Sequence, residues 1–126
     1  MAHPDKYAGH RVAPMLGRSI VPFLEGKSQQ VHGPEEVFGW EQWGQRAVRV
    51  GTLKGLYEAE PGGVAPRWQV YDLATDPGEN HDLGPTHPAE RTTLIRLWYE
   101  YARSVGVVVT PPTIPGYDGE LNPKPY

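Results

Sequence analysis

One stretch of this chain repeats its apolar residues at the spacing of a helix. In residues 88–105, Leu94, Leu97, Trp98, Tyr101 and Val105 fall along one stripe. The spacing predicts a helix over residues 88–104, and a helix that is apolar on one side must lie on something else. Its ends carry matching signals. His87 or Thr86 sits where an N-cap belongs, Pro88 suits the first turn, Glu90 lies near the positive end of the helix dipole, and Gly106 suits termination.

What the helix lies on is written upstream. Residues 36–40, 46–50, 53–59 and 67–73 are strand-like runs separated by breakers, the pattern of an antiparallel sheet built from hairpins. The second run alternates Val48 and Val50 with Ala47 and Arg49, as in a sheet with one solvated side. Glu60-Pro61-Gly62-Gly63 supplies a turn. Asp76-Pro77-Gly78-Glu79 supplies another, with Pro second and Gly third, the type II order. The fold class expected is α+β: a small antiparallel sheet of about four strands packed against one C-terminal helix, with an irregular N-terminal segment and a Pro-rich tail.

The rest of the 126 residues is poor in regular structure, with 15 Gly, 14 Pro and 38% hydrophobic residues. Three regions are expected. Residues 1–32 form a mostly irregular segment with one helical turn around Gly17 to Gly26, where Ser19 can cap and Pro22 limits the length. Residues 33–107 form the α+β subdomain. Residues 108–126, with five prolines after Val109, form an extended tail.

Charge and composition exclude several roles. Twelve Lys and Arg against 15 Asp and Glu leave no basic field for nucleic acid. The longest apolar runs, such as residues 105–109, fall far short of the ~20 residues a membrane span needs. No cysteine is present, so thiolate metal sites, disulfides and cysteine nucleophiles are absent.

The residues that could carry chemistry read better as structure. None of the histidines, at positions 3, 10, 32, 81 and 87, forms an i, i+4 pair of the zinc type. Glu79, His81 and Asp82 could be imagined as metal ligands, but a polar loop after a Pro-Gly turn commonly bonds its own backbone. Ser19, Ser28 and Ser104 sit in no Gly-x-Ser-x-Gly elbow, and Gly62-Gly63 lacks the Lys-Ser or Lys-Thr of a phosphate loop. Trp40, Trp43, Trp68 and Trp98 are read as core rather than as a stacking platform. Arg46, Arg49 and Lys54 are read as a solvated strand face with local carboxylate partners rather than as an anion site. No catalytic, cofactor-binding or metal residue is assigned.

Taken in order, these pieces resemble the end of a sulfatase of the arylsulfatase type. First comes Gly17, Ser19, Pro22, Leu24 and Gly26, with Phe23 between; then residues 46–54, ending in Lys54; then residues 68–83, containing Val70-Tyr71-Asp72-Leu73, Asp76-Pro77, Glu79 and Leu83 and leading into a helix. The resemblance spans roughly residues 10–106. It implies a sulfuric ester hydrolase with an alkaline-phosphatase-like fold, of which this would be the C-terminal subdomain, a small sheet packed with one helix.

In that family the nucleophile is a formylglycine made from the first residue of Cys-x-Pro-x-Arg, or from a serine in its place, beside a divalent cation, usually calcium. This chain has no cysteine, and none of its serines is followed by Pro at the second and Arg at the fourth position. The resemblance therefore implies no catalytic residue and no cofactor here, with calcium belonging to the parent's catalytic domain. Lys54, Tyr71, Asp72, Asp76, Pro77 and Gly78 read as fold residues. The partner implied is that catalytic domain, in cis, which predicts a half-exposed apolar surface. A homodimer through that surface, or by exchange of the tail, is a further expectation.

Overall fold

The computed structural model describes residues 5–12, 17–59 and 64–111. The chain divides into two compact units, Met1–Gly33 and Pro34–Tyr126.

In the first unit, β1 (Lys6–Tyr7) pairs antiparallel with β2 (His10–Arg11). The connecting residues Ala8 (φ 49) and Gly9 (φ 83) are both left-handed, as a two-residue type I′ hairpin requires. Nothing in the sequence pattern anticipates this ladder. The short helix α1 (Val21–Leu24) forms where a helical turn is expected, but its N-cap is Ile20. Ser19 instead accepts a hydrogen bond from the Val21 N–H at 3.3 Å. No residue of α1 is buried.

The second unit carries the sheet. Strands β3 (Val37–Gln42), β4 (Gln45–Val50), β5 (Leu53–Tyr57) and β6 (Trp68–Asp72) form an antiparallel meander in chain order. Trp43 (φ 54) and Gly44 (φ 78) close the first hairpin, and Gly51 (φ 57) with Thr52 the second. Helix α2 (Pro88–Val105) then lies across one sheet face, and the α+β class stands as expected.

The core is where the two meet. Val48, Val70, Leu94, Trp98 and Ala102 are buried together, with Trp98 and Val48 at 0% exposure. Burying a side chain of this size contributes roughly 1.5–3 kcal/mol. Two glycines let the helix approach the strands. A Cβ on Gly39 would stand 2.1 Å from the Tyr101 ring, and one on Gly55 would stand 3.2 Å from Leu94 Cβ.

The helical stripe holds with one exception and one addition. Ala102 joins the core, whereas Val105 is 40% exposed, because the chain leaves the sheet there. Gly106 adopts φ 75, and the N–H groups of Gly106 and Val107 both return to the Ala102 carbonyl, ending the helix. His87 is the N-cap but makes no side-chain cap hydrogen bond.

Each sheet edge meets groups from outside the sheet. On β6, Val70 donates to Asp82 Oδ1 at 2.9 Å and accepts from the Leu83 N–H at 2.8 Å. On β3, the Trp98 indole donates to the Trp40 carbonyl at 2.9 Å. No helix among the described residues is long and apolar enough to cross a membrane. The turn expected at residues 60–63, and the tail beyond residue 111, lie outside the described residues.

Candidate functional site

The polar cluster with the most structure lies in the loop after β6. Asp72 Oδ1 accepts from the Ala74 N–H, and the Asp72 carbonyl accepts from Thr75 and Asp76. The Glu79 N–H then closes a turn on the Asp76 carbonyl at 3.1 Å. The expected type II order is not what forms. The positive φ falls on Glu79 (φ 56) and not on Gly78, which makes the turn type I followed by a left-handed residue. A Cβ on Gly78 would stand 2.5 Å from the Asn80 amide nitrogen, the far end of an exposed side chain that can swing away.

This backbone turns the Glu79 carboxylate toward the sheet face opposite α2, where Lys54 Nζ meets its two oxygens at 2.6 and 2.8 Å. Tyr71, the cross-strand partner of Lys54, is only 6% exposed. Burial raises its phenol above the ordinary value, and the charges of Asp82, Glu79 and Glu58 push the same way.

The remaining carboxylates of the loop hold backbone. The Asn80 backbone N–H, then the His81 N–H at 2.8 Å and the Asn80 side-chain amide at 3.1 Å, hold Asp76 below the usual carboxylate range. Burial works against ionising Asp82, yet Arg67 and the N–H groups of Val70 and Gly84 outweigh it and hold its value low. His81 is largely exposed, with Nδ1 3.7 Å from Asp76 Oδ2. Among the described residues no three His, Cys, Asp or Glu side chains gather as a metal site.

Arg46, Arg49 and Lys54 do not share one face. Arg46 has the parity of Val48 and Val50, and lies beneath the helix at 8% exposure. Its guanidinium stands 4.6 Å from the Tyr57 ring centre and 5.0 Å from that of Trp98, and donates to the Thr110 carbonyl at 2.9 Å. The expected solvated role with a carboxylate partner is thus corrected for Arg46: aromatic faces and a carbonyl replace the acid. Arg49 is exposed and donates from Nε to the Gly51 carbonyl.

The tryptophans divide likewise. Trp98 is fully buried and Trp68 partly so, their ring centres 6.1 Å apart. Trp40 and Trp43 are 50% and 55% exposed, against the core role expected for all four. Trp40 has the parity that faces away from α2, and Trp43 sits at the hairpin tip. A shallow groove of about 210 Å³, lined by Val50, Leu53, Ala89, Glu90, Thr93 and Leu94, offers one carboxylate and no second ionisable group.

Several residues of 68–83 thus have a mechanical task, among them Asp72, Asp76, Glu79 and Asp82. No protein-family model matches the chain. It is 37% identical over 111 residues to an uncharacterized sulfatase of Schizosaccharomyces pombe. Over most of its length this chain is related to part of a sulfatase. The match takes in 86% of the chain and spans only 20% of that relative.

Proposed function

We propose that the chain is the C-terminal structural subdomain of a sulfatase of the arylsulfatase type, a sulfuric ester hydrolase with an alkaline-phosphatase-like catalytic domain. The observation that carries this reading is the 37% identity to a sulfatase over 111 residues. The Lys54–Glu79 ion pair supports it, because it ties together the two segments on which the resemblance rests.

The subdomain does not hydrolyse a sulfate ester by itself. Its best-ordered carboxylates are engaged by backbone N–H groups, Lys54 and Arg67, and the Thr86 hydroxyl, 2.9 Å from His87 Nδ1, lies exposed at the start of α2 and donates to the Leu83 carbonyl. The calcium of the family would need an acidic donor set that the described residues do not form. Catalysis and substrate choice belong to the remainder of the longer chain, with which this subdomain packs in cis.

A second reading, a free-standing protein- or carbohydrate-binding module, is favoured by the exposure of Trp40 and Trp43. An immunoblot of source cells with an antibody against this chain separates the two. A product several times larger than 14.0 kDa is expected, and a product of 14.0 kDa alone would overturn the subdomain reading. Purified chain should show no turnover of an aryl sulfate with or without calcium; turnover would sink the structural role.

A further inference from the structure

The sheet face away from α2 is divided in two. On β5 and β6 the loop after β6 folds onto it, pairing Glu79 with Lys54 and leaving Tyr71 buried. On β3, β4 and the Leu56 end of β5 an apolar band crosses the strands instead. Trp40 stands opposite Ala47, which stands opposite Leu56, and the Phe38 ring stacks beside Trp40 with centres 6.4 Å apart. Half the surface of Trp40 is open to water. An apolar strip on a flat, rigid sheet marks a contact site when a large partner is at hand.

The length of the relative supplies that partner. The matched region is 20% of the S. pombe sulfatase, so a polypeptide several times the size of this chain accompanies the same fold there. We infer that the band of Phe38, Trp40, Ala47 and Leu56 is the surface that seats the rest of the sulfatase chain, with Trp40 as its anchor. This rests on the subdomain reading above and adds to it which face is covered.

Trp40 is built for that task. Its carbonyl accepts from the Trp98 indole at 2.9 Å, which holds the backbone there, and its ring stacks on that of Phe38. Arg49, on the same face and exposed, stands at the edge of the band opposite Phe38. Trp and Arg are among the residues that most often carry the binding energy of protein contacts.

Hydroxyl-radical oxidation read by peptide mass spectrometry tests the assignment, comparing the 126-residue chain with the longer product purified from source cells. Trp40 oxidation should fall several-fold in the longer product, while Tyr99 on α2, 39% exposed here, stays unchanged. A longer product in which Trp40 reacts as in the short chain would overturn the face assignment and leave the subdomain reading standing. A product of 14.0 kDa alone would remove both.

The other occupants are read from the 126-residue chain itself. Concentration-dependent protection of Trp40 would give the band to a second copy, and a rise in its oxidation on deleting residues 112–126 would give it to the tail. Quenching of tryptophan fluorescence by a sulfated disaccharide, lost in Trp40→Ser, would give it to a saccharide. Each of these overturns the proposal. Trp40→Ser should leave the melting midpoint of the short chain nearly unchanged and lower that of the longer product.

Discussion

The two faces of the sheet are made from the same four strands and are finished differently. The face under α2 is closed by the chain itself, with Val48 and Trp98 at 0% exposure and glycine at positions 39 and 55 so that the helix can come close. The other face is closed only over β5 and β6, by the loop that carries Glu79, and open over β3 and β4, where Trp40 is half exposed. The first face accounts for why the domain folds. The second accounts for what it is available to do.

If that contrast is right, the stability of the short chain lies almost wholly on the helix side. Trp98→Ala should cost roughly 3–5 kcal/mol, measured by urea unfolding, enough to leave little of the native state in a domain this small. A loss below about 1 kcal/mol would mean that the two faces share the load more evenly. Gly39→Ala should come next at roughly 1–3 kcal/mol, because the added methyl group meets the Tyr101 ring.

The loop should be worth less and should depend on pH. Asp82 is held below the usual carboxylate range, so its contribution is present above the unfolded value near ~3.9 and is lost as pH falls toward its folded value. Asp82→Asn should therefore lower stability by about 1 kcal/mol at neutral pH, and the gap from the parent should narrow below about pH 4. A constant gap across acid titration would place the effect in packing rather than in charge.

Removing the partly buried pair by Lys54→Met should cost about 1 kcal/mol or less, read by thermal melting, and relax the boundary between the covered and open halves of the second face. The smallest effect should come from Trp40→Ser, within about 0.5 kcal/mol in the isolated chain. A larger loss there would make the open half part of the core and weaken the distinction between the faces.

How much of this was legible in the sequence follows the strength of the local signals. The four strands of the meander and helix α2 were readable because alternation, helical spacing and breakers all point the same way. Arg46 was misplaced because charge was weighed above parity: two residues before Val48, it must face the helix. The 76–79 turn departs from the type II expectation because the positive φ falls one residue later, on Glu79, whose carboxylate reaches Lys54.

The exposure of Trp40 and Trp43 had no local signal, since an aromatic on a strand serves a core or a contact surface equally well. Lys54 was readable as part of the resemblance, but its partner was not, because the pair spans 25 residues and forms only after the loop doubles back. Long-range geometry of this kind is decided by the register of β5 on β6, and no single segment records it.

The hydrogen bond from Trp98 to Trp40 and the clasp of Asp82 and Leu83 on Val70 also limit how copies of this molecule can meet. A sheet grows between molecules by adding a strand at an edge, and here one residue of each edge strand already bonds groups from outside the sheet. Growth would first have to break bonds that belong to the core helix or to the β6 loop. A copy approaching either edge therefore meets a strand with an inner residue already bonded, Trp40 on β3 and Val70 on β6.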